Sequence, residues 1–163
     1  DDSIEIIVVD DGSTDNTEEE LKKIKNINFK FYKIKNSERG FARNYGYSQS
    51  CGKYINFFDS DDEPFNNHIE VANDIIKDNK YDIFHTSYTI VRRNKKNKNF
   101  FYYGLLNSKI IKKNIICLNN IFIKRQILID NYFCEDRKLS GTEDWLLWIK
   151  LSKRWRWQYP CKL

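Results

Sequence analysis

Three acidic groups stand where this sequence could hold a cation or move a proton. Asp59-Ser60-Asp61-Asp62 follows the apolar run Tyr54-Ile55-Asn56-Phe57-Phe58, and Asp10-Asp11 follows Ile4-Glu5-Ile6-Ile7-Val8-Val9. Glu143-Asp144 opens a segment rich in tryptophan and leucine. Crowded carboxylates repel one another, so a fold tolerates them best where a cation neutralises them. Hard divalent ions such as Mg²⁺ and Mn²⁺ prefer carboxylate oxygens and leave coordination positions open for substrate phosphates. A carboxylate beside an acceptor hydroxyl can also act as a general base. Each group has a bland meaning when taken alone. An isolated Asp-x-Asp is more often a solvated turn. Glu143-Asp144 by itself reads as helix N-terminal acids favoured by the macrodipole.

The elements needed to position these groups are legible. Ile4 to Val9 and Tyr54 to Phe58 read as buried strands, with Phe29 to Ile34 and Tyr81 to Val91 as two more. The Glu/Lys-rich stretch to Lys25 reads as a helix, with Asp15 and Glu18 spaced as a capping box. Phe41 to Ser50 reads as a second helix. A third starts at Pro64 and runs to Asp78, with Ile69, Ala72 and Ile76 on one face. This alternation predicts an α/β layered sheet, mostly parallel, with helices on both faces. Ligands in such sheets bind beyond the carboxyl ends of the strands, so the first two acidic clusters are expected to line one crevice. Residues 92–119 carry no clean period. Ile121 to Asn131 is expected to hold a short strand and a short helix. Thr142 can cap a helix from Glu143 to Lys153, and Trp155 to Tyr159 alternates as a last strand.

Composition narrows the classes. A chain of 163 residues with 40% hydrophobic content can bury a core, so one domain over 1–163 is expected and disorder is excluded. No apolar run approaches the ~18 residues that a membrane-spanning helix needs. Cys51, Cys117, Cys134 and Cys161 form no Cys-x-x-Cys pair, which argues for free thiols in a reducing cytoplasm. His68 and His85 stand beside no nucleophile and are expected to be structural. The net charge of +5 gathers in Arg92 to Lys98 and in Lys150 to Arg156. Such runs are commonly solvated loops. Their sharper meaning is peripheral association with an anionic membrane, here its inner, cytoplasmic face. Nucleic acid is not expected as a partner, because the acidic clusters would repel a phosphate backbone. An oligomer is allowed, and nothing in the sequence fixes one.

Four motifs resemble one family. Val8-Val9-Asp10-Asp11-Gly12-Ser13-Thr14-Asp15 resembles the first acidic motif of the family-2 glycosyltransferases, which have the GT-A nucleotide-sugar-binding fold. Residues 36–46, Asn-Ser-Glu-Arg-Gly-Phe-Ala-Arg-Asn-Tyr-Gly, are similar to that family's Asn-x-Gly…Ala-Arg-Asn-x-Gly element. Gly52 to Asp62 resembles its metal-binding Asp-x-Asp strand. Ser140-Gly141-Thr142-Glu143-Asp144-Trp145 resembles its late Glu-Asp motif. The resemblance implies a metal-dependent, inverting transferase. It would move a sugar from a nucleotide-diphosphate donor, foremost a UDP-sugar, to a glycan or lipid-linked acceptor in cell-surface polysaccharide synthesis. Residues 1–91 would hold the nucleotide sugar and residues 92–163 would face the acceptor. Asp10 or Asp11 would accept hydrogen bonds from the base or ribose, and Arg43 would lie near the base or diphosphate. Asp59 would meet the ribose or a metal-bound water, and Asp61 would ligate Mn²⁺ or Mg²⁺. Asp144 would be the general base, with Glu143 and Trp145 on the acceptor side.

The chain departs from that family at three places. Glu38 replaces a glycine, so the backbone there is expected to take another path. No histidine follows Asp144 to serve as a late metal ligand. The family's opening strand and helix do not precede the Val-Val-Asp-Asp motif. The expectation is therefore an N-terminally truncated domain with weak or absent catalysis of its own. The alternative reading is a nucleotide-sugar-binding fragment without turnover. A nucleotidyltransferase is a further one, although no glycine-rich loop with a basic residue follows the first strand.

Overall fold

The computed structural model describes residues 4–25, 27–91, 96–102 and 104–159. By its own contacts the chain divides into two compact units, Asp1–Lys53 with Tyr132–Leu147, and Tyr54–Asn131 with Trp148–Leu163.

In the first unit β1 (Ile7–Asp10) is followed by α1 (Thr17–Lys22) and β2 (Lys30–Lys33). The two strands pair in parallel, with Ile7 opposite Lys30 and Asp10 opposite Lys33. Parallel pairing demands a crossover, which α1 supplies. The expected capping box does not form. Asp15 accepts the Thr17 N–H and hydroxyl instead, while Glu18 pairs with Lys22 at 2.7 Å. An aspartate that bonds the chain two residues ahead competes with the box geometry.

The next element, α2 (Arg39–Ser48), depends on two glycines. A Cβ on Gly46 would lie 3.3 Å from Val9 Cγ2, so the helix rests directly on β1. A Cβ on Gly40 would strike the carbonyl oxygen of Cys134. Asn44 grips the same segment in both directions: its Oδ1 accepts the Phe133 N–H at 2.9 Å and its Nδ2 donates to the Phe133 carbonyl at 3.0 Å. Small residues and an amide at these positions let a helix approach backbone at close range.

At Glu38 the backbone takes a φ of 77° and a ψ of 155°, a conformation almost reserved for glycine and here held under a side chain. Arg137 Nε holds Glu38 Oε1 at 2.8 Å, and Arg137 Nη2 donates to Asn36 Oδ1 at 2.9 Å. Glu38→Gly and Glu38→Ala both lose that ion pair and differ only in the Cβ. Glu38→Gly is therefore expected to be the more stable of the two by about 1 kcal/mol. Urea unfolding of both variants checks this, and equal stabilities would show that the backbone is relaxed.

The second unit holds β3 (Tyr54–Ile55), α3 (His68–Lys77), β4 (Ile83–His85), β5 (Tyr88–Ile90), β6 (Lys98–Phe100) and β7 (Gly104–Leu105). After these come α4 (Asn107–Lys112), β8 (Ile121–Lys124) and β9 (Trp157–Tyr159). Five strands form one sheet in the order β3-β8-β4-β9-β7. The α/β class stands, but the pairing is mixed rather than mostly parallel. β8 lies between β3 and β4 and runs antiparallel to both, while β4 and β9 are parallel. Element order suggests neighbouring strands, yet it does not reveal that a later strand inserts between two earlier ones.

The expected strand from Tyr81 to Val91 divides. β4 joins the sheet, and β5 forms a hairpin with β6 in which Tyr88 opposes Phe100. β3 ends early because the Asn56 amide takes over the bonding, donating to the Asn119 and Ile121 carbonyls at 2.9 and 2.8 Å. The core packs Ala72 and Ile75 of α3 against Phe84 and Phe122, whose rings stack at 4.9 Å. Trp148 and Trp157 are fully buried and meet edge to face at 5.4 Å.

A last helix, α5 (Glu143–Ser152), opens in the first unit and ends in the second. Among the described residues Cys51, Cys117 and Cys134 form no disulfide, and Cys161 lies outside them. So does the basic run from Arg92 to Lys95. Among the described residues no helix is long and apolar enough to cross a membrane.

Candidate functional site

In the first unit Asp10 closes β1 and is buried. The Ser13 N–H donates to its Oδ1 at 2.7 Å, and Lys33 Nζ lies 3.5 Å from Oδ2. Burial pushes this carboxyl up, but the Ser13 hydrogen bonds and the Lys33 charge outweigh it and hold Asp10 below its ordinary range. Asp10 is thus an ionised acceptor at the strand end. Gly12, with φ of 77°, then turns the chain so closely that a Cβ would lie 2.7 Å from Asn36 N. That approach brings the Asn36-Ser37 segment to Asp11. The Ser37 N–H donates to Asp11 Oδ1 at 2.7 Å, and Asn36 Nδ2 donates to the Asp11 carbonyl at 3.1 Å.

The same unit brings Arg43 and Glu143 together. Arg43 Nη1 donates to Glu143 Oε1 at 2.7 Å, and the guanidinium lies over the Phe133 ring at 5.4 Å. The Gly141 N–H donates to Glu143 Oε2 at 2.5 Å. Burial pushes the Glu143 carboxyl up, yet backbone N–H bonds and the Arg43 charge win, so it stays below the usual range. Glu143 is a buried anion with both oxygens engaged. Asp144, next in α5, is partly buried and accepts the Trp145 N–H at 2.6 Å. Thr142 stands just before α5, where its carbonyl accepts the Leu146 N–H at 3.0 Å and its hydroxyl donates to the Leu139 carbonyl at 2.9 Å.

In the second unit Asp59, Asp61 and Asp62 each offer one carboxylate oxygen, and these oxygens all lie within 4.8 Å of one another. Three hard anionic donors in that space suit Mg²⁺ or Mn²⁺ and suit soft metals poorly. Sequence reasoning missed what orders this turn. Buried Asn119 accepts the Asp59 N–H on Oδ1 at 3.0 Å and donates from Nδ2 to Asp62 Oδ2 at 2.5 Å. Asn56 bonds the Asn119 backbone, and buried His68 places Nε2 3.1 Å from Asn56 Oδ1. No signal in the sequence sets Asn119 apart, since it sits in the stretch without periodicity.

Known proteins resemble this chain in sequence and fold. The family model described as "Glycosyl transferase family 2" matches residues 1–136. An uncharacterized glycosyltransferase of Rickettsia bellii (strain RML369-C) is 31% identical over 157 residues, which are 93% of this chain and 22% of the relative. The minor teichoic acid biosynthesis protein GgaA of Bacillus subtilis (strain 168) is 37% identical over 84 residues, 48% of this chain and 19% of GgaA. Crystal structures of S. aureus TarS 1-349 superpose on 99% of this chain. The UDP complex does so with a TM-score of 0.81 at 26% identity, and the UDP-GlcNAc complex with 0.76 at 25%. The chain spans about half of those TarS chains and about a quarter or less of these curated relatives.

Proposed function

Because the chain belongs to glycosyl transferase family 2, we propose that it binds a UDP-sugar and a divalent metal for inverting transfer to a glycan or lipid-linked acceptor. The acidic triad of Asp59, Asp61 and Asp62 carries this reading, since one small cation would relieve three converging carboxylates. Mn²⁺ or Mg²⁺ bound there supplies positive charge against the diphosphate that departs. Asp61 is assigned as ligand, and Asp59 as the partner of ribose or of a metal-bound water. Asp10 and Asp11 accept hydrogen bonds from the nucleoside, a role that suits side-chain oxygens already fixed by Ser13 and Ser37. Arg43 lies near the base or diphosphate.

Asp144 takes the proton of the acceptor hydroxyl as that oxygen attacks the anomeric carbon. Direct displacement inverts the centre. Glu143 acts beside it by position: held by Arg43 and Gly141, it fixes the first turn of α5 on which Asp144 and Trp145 sit. Trp145 offers a partly exposed indole to the acceptor sugar. The UDP and UDP-GlcNAc complexes of TarS support a UDP donor, and the teichoic acid role named for GgaA supports a cell-surface polymer as product. The exposed basic residues Lys150, Lys153, Arg154 and Arg156 support peripheral contact with an anionic membrane.

Calorimetric titration with UDP, with and without Mn²⁺, tests the reading. UDP is expected to bind in a metal-dependent way, and Asp61→Ala to lose that dependence. Asp144→Ala is expected to keep UDP binding and to lower sugar transfer by about a hundredfold or more. Salt-sensitive binding of single-stranded oligonucleotides, with no response to UDP, would overturn it.

A further inference from the structure

We propose that Asn119 is a positioning residue for the divalent metal, setting the affinity of the Asp59-Asp61-Asp62 turn without touching the ion. This inference rests on the metal-dependent reading above. Carboxylates of an exposed acidic turn left to themselves spread apart, because each gains by moving away from its neighbours. Something must hold them convergent before the cation arrives.

Asn119 is built for that task. It is 5% exposed, and the two ends of its amide do opposite things. Oδ1 takes the N–H of Asp59 at 3.0 Å and fixes where the turn begins. Nδ2 donates to one oxygen of Asp62 at 2.5 Å, which orients that carboxylate and offsets part of its charge. The turn itself closes with the Asp62 N–H on the Asp59 carbonyl at 3.3 Å. One neutral side chain therefore ties both ends of the acidic sequence. An aspartate in its place could keep the first bond but would present a fourth anion to Asp62.

Asn119 is itself anchored. The Asn56 amide donates to the Asn119 carbonyl at 2.9 Å, and Asn56 Oδ1 lies 3.1 Å from His68 Nε2. His68 packs between Phe58 and Phe122 at ring distances of 5.8 and 5.3 Å. The chain from the core to the acidic turn runs His68, Asn56, Asn119 and then Asp59 and Asp62. His68 is buried against these rings and fixes Asn56, which in turn holds the Asn119 backbone. A residue that orients ligands in this way acts on metal affinity, as outer partners of metal ligands do.

Mn²⁺ alone is the probe, titrated into the whole chain and followed by electron paramagnetic resonance or calorimetry. Asn119→Ala is expected to weaken Mn²⁺ binding by about tenfold or more. It is also expected to speed hydrogen exchange at the Asp59 amide, which loses its acceptor. Asn119→Ser, a smaller perturbation of the buried site, should shift both readouts in the same direction and serves if the alanine variant fails to fold. Wild-type Mn²⁺ affinity in a folded variant would overturn the inference and leave the metal reading standing. A wild-type chain that binds no Mn²⁺ would overturn the metal reading and take the inference with it.

Discussion

Gly40→Ala is expected to lose about 3 kcal/mol of folding free energy, although a glycine replaced by alanine within a helix normally gains about 1 kcal/mol. The reversal comes from one contact. The added methyl group would enter the space of the Cys134 carbonyl oxygen, and backbone cannot rotate aside as a side chain does. Either α2 lifts or residues 132–135 withdraw. Both moves break the two Asn44 bonds to Phe133 and pull the Phe133 ring from beneath Arg43. Gly46→Ala supplies the comparison. Its methyl group would meet only Val9 Cγ2, at 3.3 Å, so helix propensity and crowding nearly cancel and the change should stay within about 1 kcal/mol. Denaturant unfolding of the two variants decides the matter. Equal losses would mean that α2 does not approach backbone at Gly40.

The same contact shows what a motif encodes. Residues 36–46 resemble a family element, and the letters alone suggested a role for Arg43 near a donor. The structure adds a mechanical reading: Gly40 and Gly46 permit close approach, Asn44 grips the opposite segment, and Arg43 pairs with Glu143, a hundred positions away in sequence. A continuous apolar run made β1 legible, and the shared face of Ile69, Ala72 and Ile76 did the same for α3. Strands of two or three residues such as β6 and β7 carry no period to read, which is why 92–119 stayed opaque. Side chains that replace backbone partners hide as well. Asn56 ends β3 by bonding two carbonyls itself, and apolar content at Phe57 and Phe58 gave no warning. The acidic triad was legible because like charges in a row need a reason. Its support by Asn119 was not, since a neutral amide among other asparagines stands out only when its partners are known. The joining of Tyr132–Leu147 to the first unit left no trace in composition either.

Lowering the pH from about 7.5 to about 5 is expected to remove roughly 2 kcal/mol of stability through His85 alone. His85 lies in β4, 2% exposed, and burial pushes its ring down from 6.5 to about 4, against a weaker opposing effect of the Thr86 carbonyl. The folded ring stays neutral over a range where the unfolded one takes a proton. Stability from this group is therefore complete above the unfolded value of 6.5, falls as the pH drops towards about 4, and levels off below it. His68 is shifted down by burial as well and adds to the loss in the same direction. The lowered carboxyls of Asp10 and Glu143 act in another window, because their contribution fails only below their ordinary values of 3.8 and 4.5. Unfolding free energies measured across this range should show the steepest slope between about pH 6.5 and about pH 4.5, where these acids remain ionised. His85→Gln removes the titration and should flatten most of that slope while lowering stability at neutral pH. A wild-type curve already flat between about pH 7 and about pH 5 would mean that His85 reaches water, and that the paired core around β4 is looser than its burial implies.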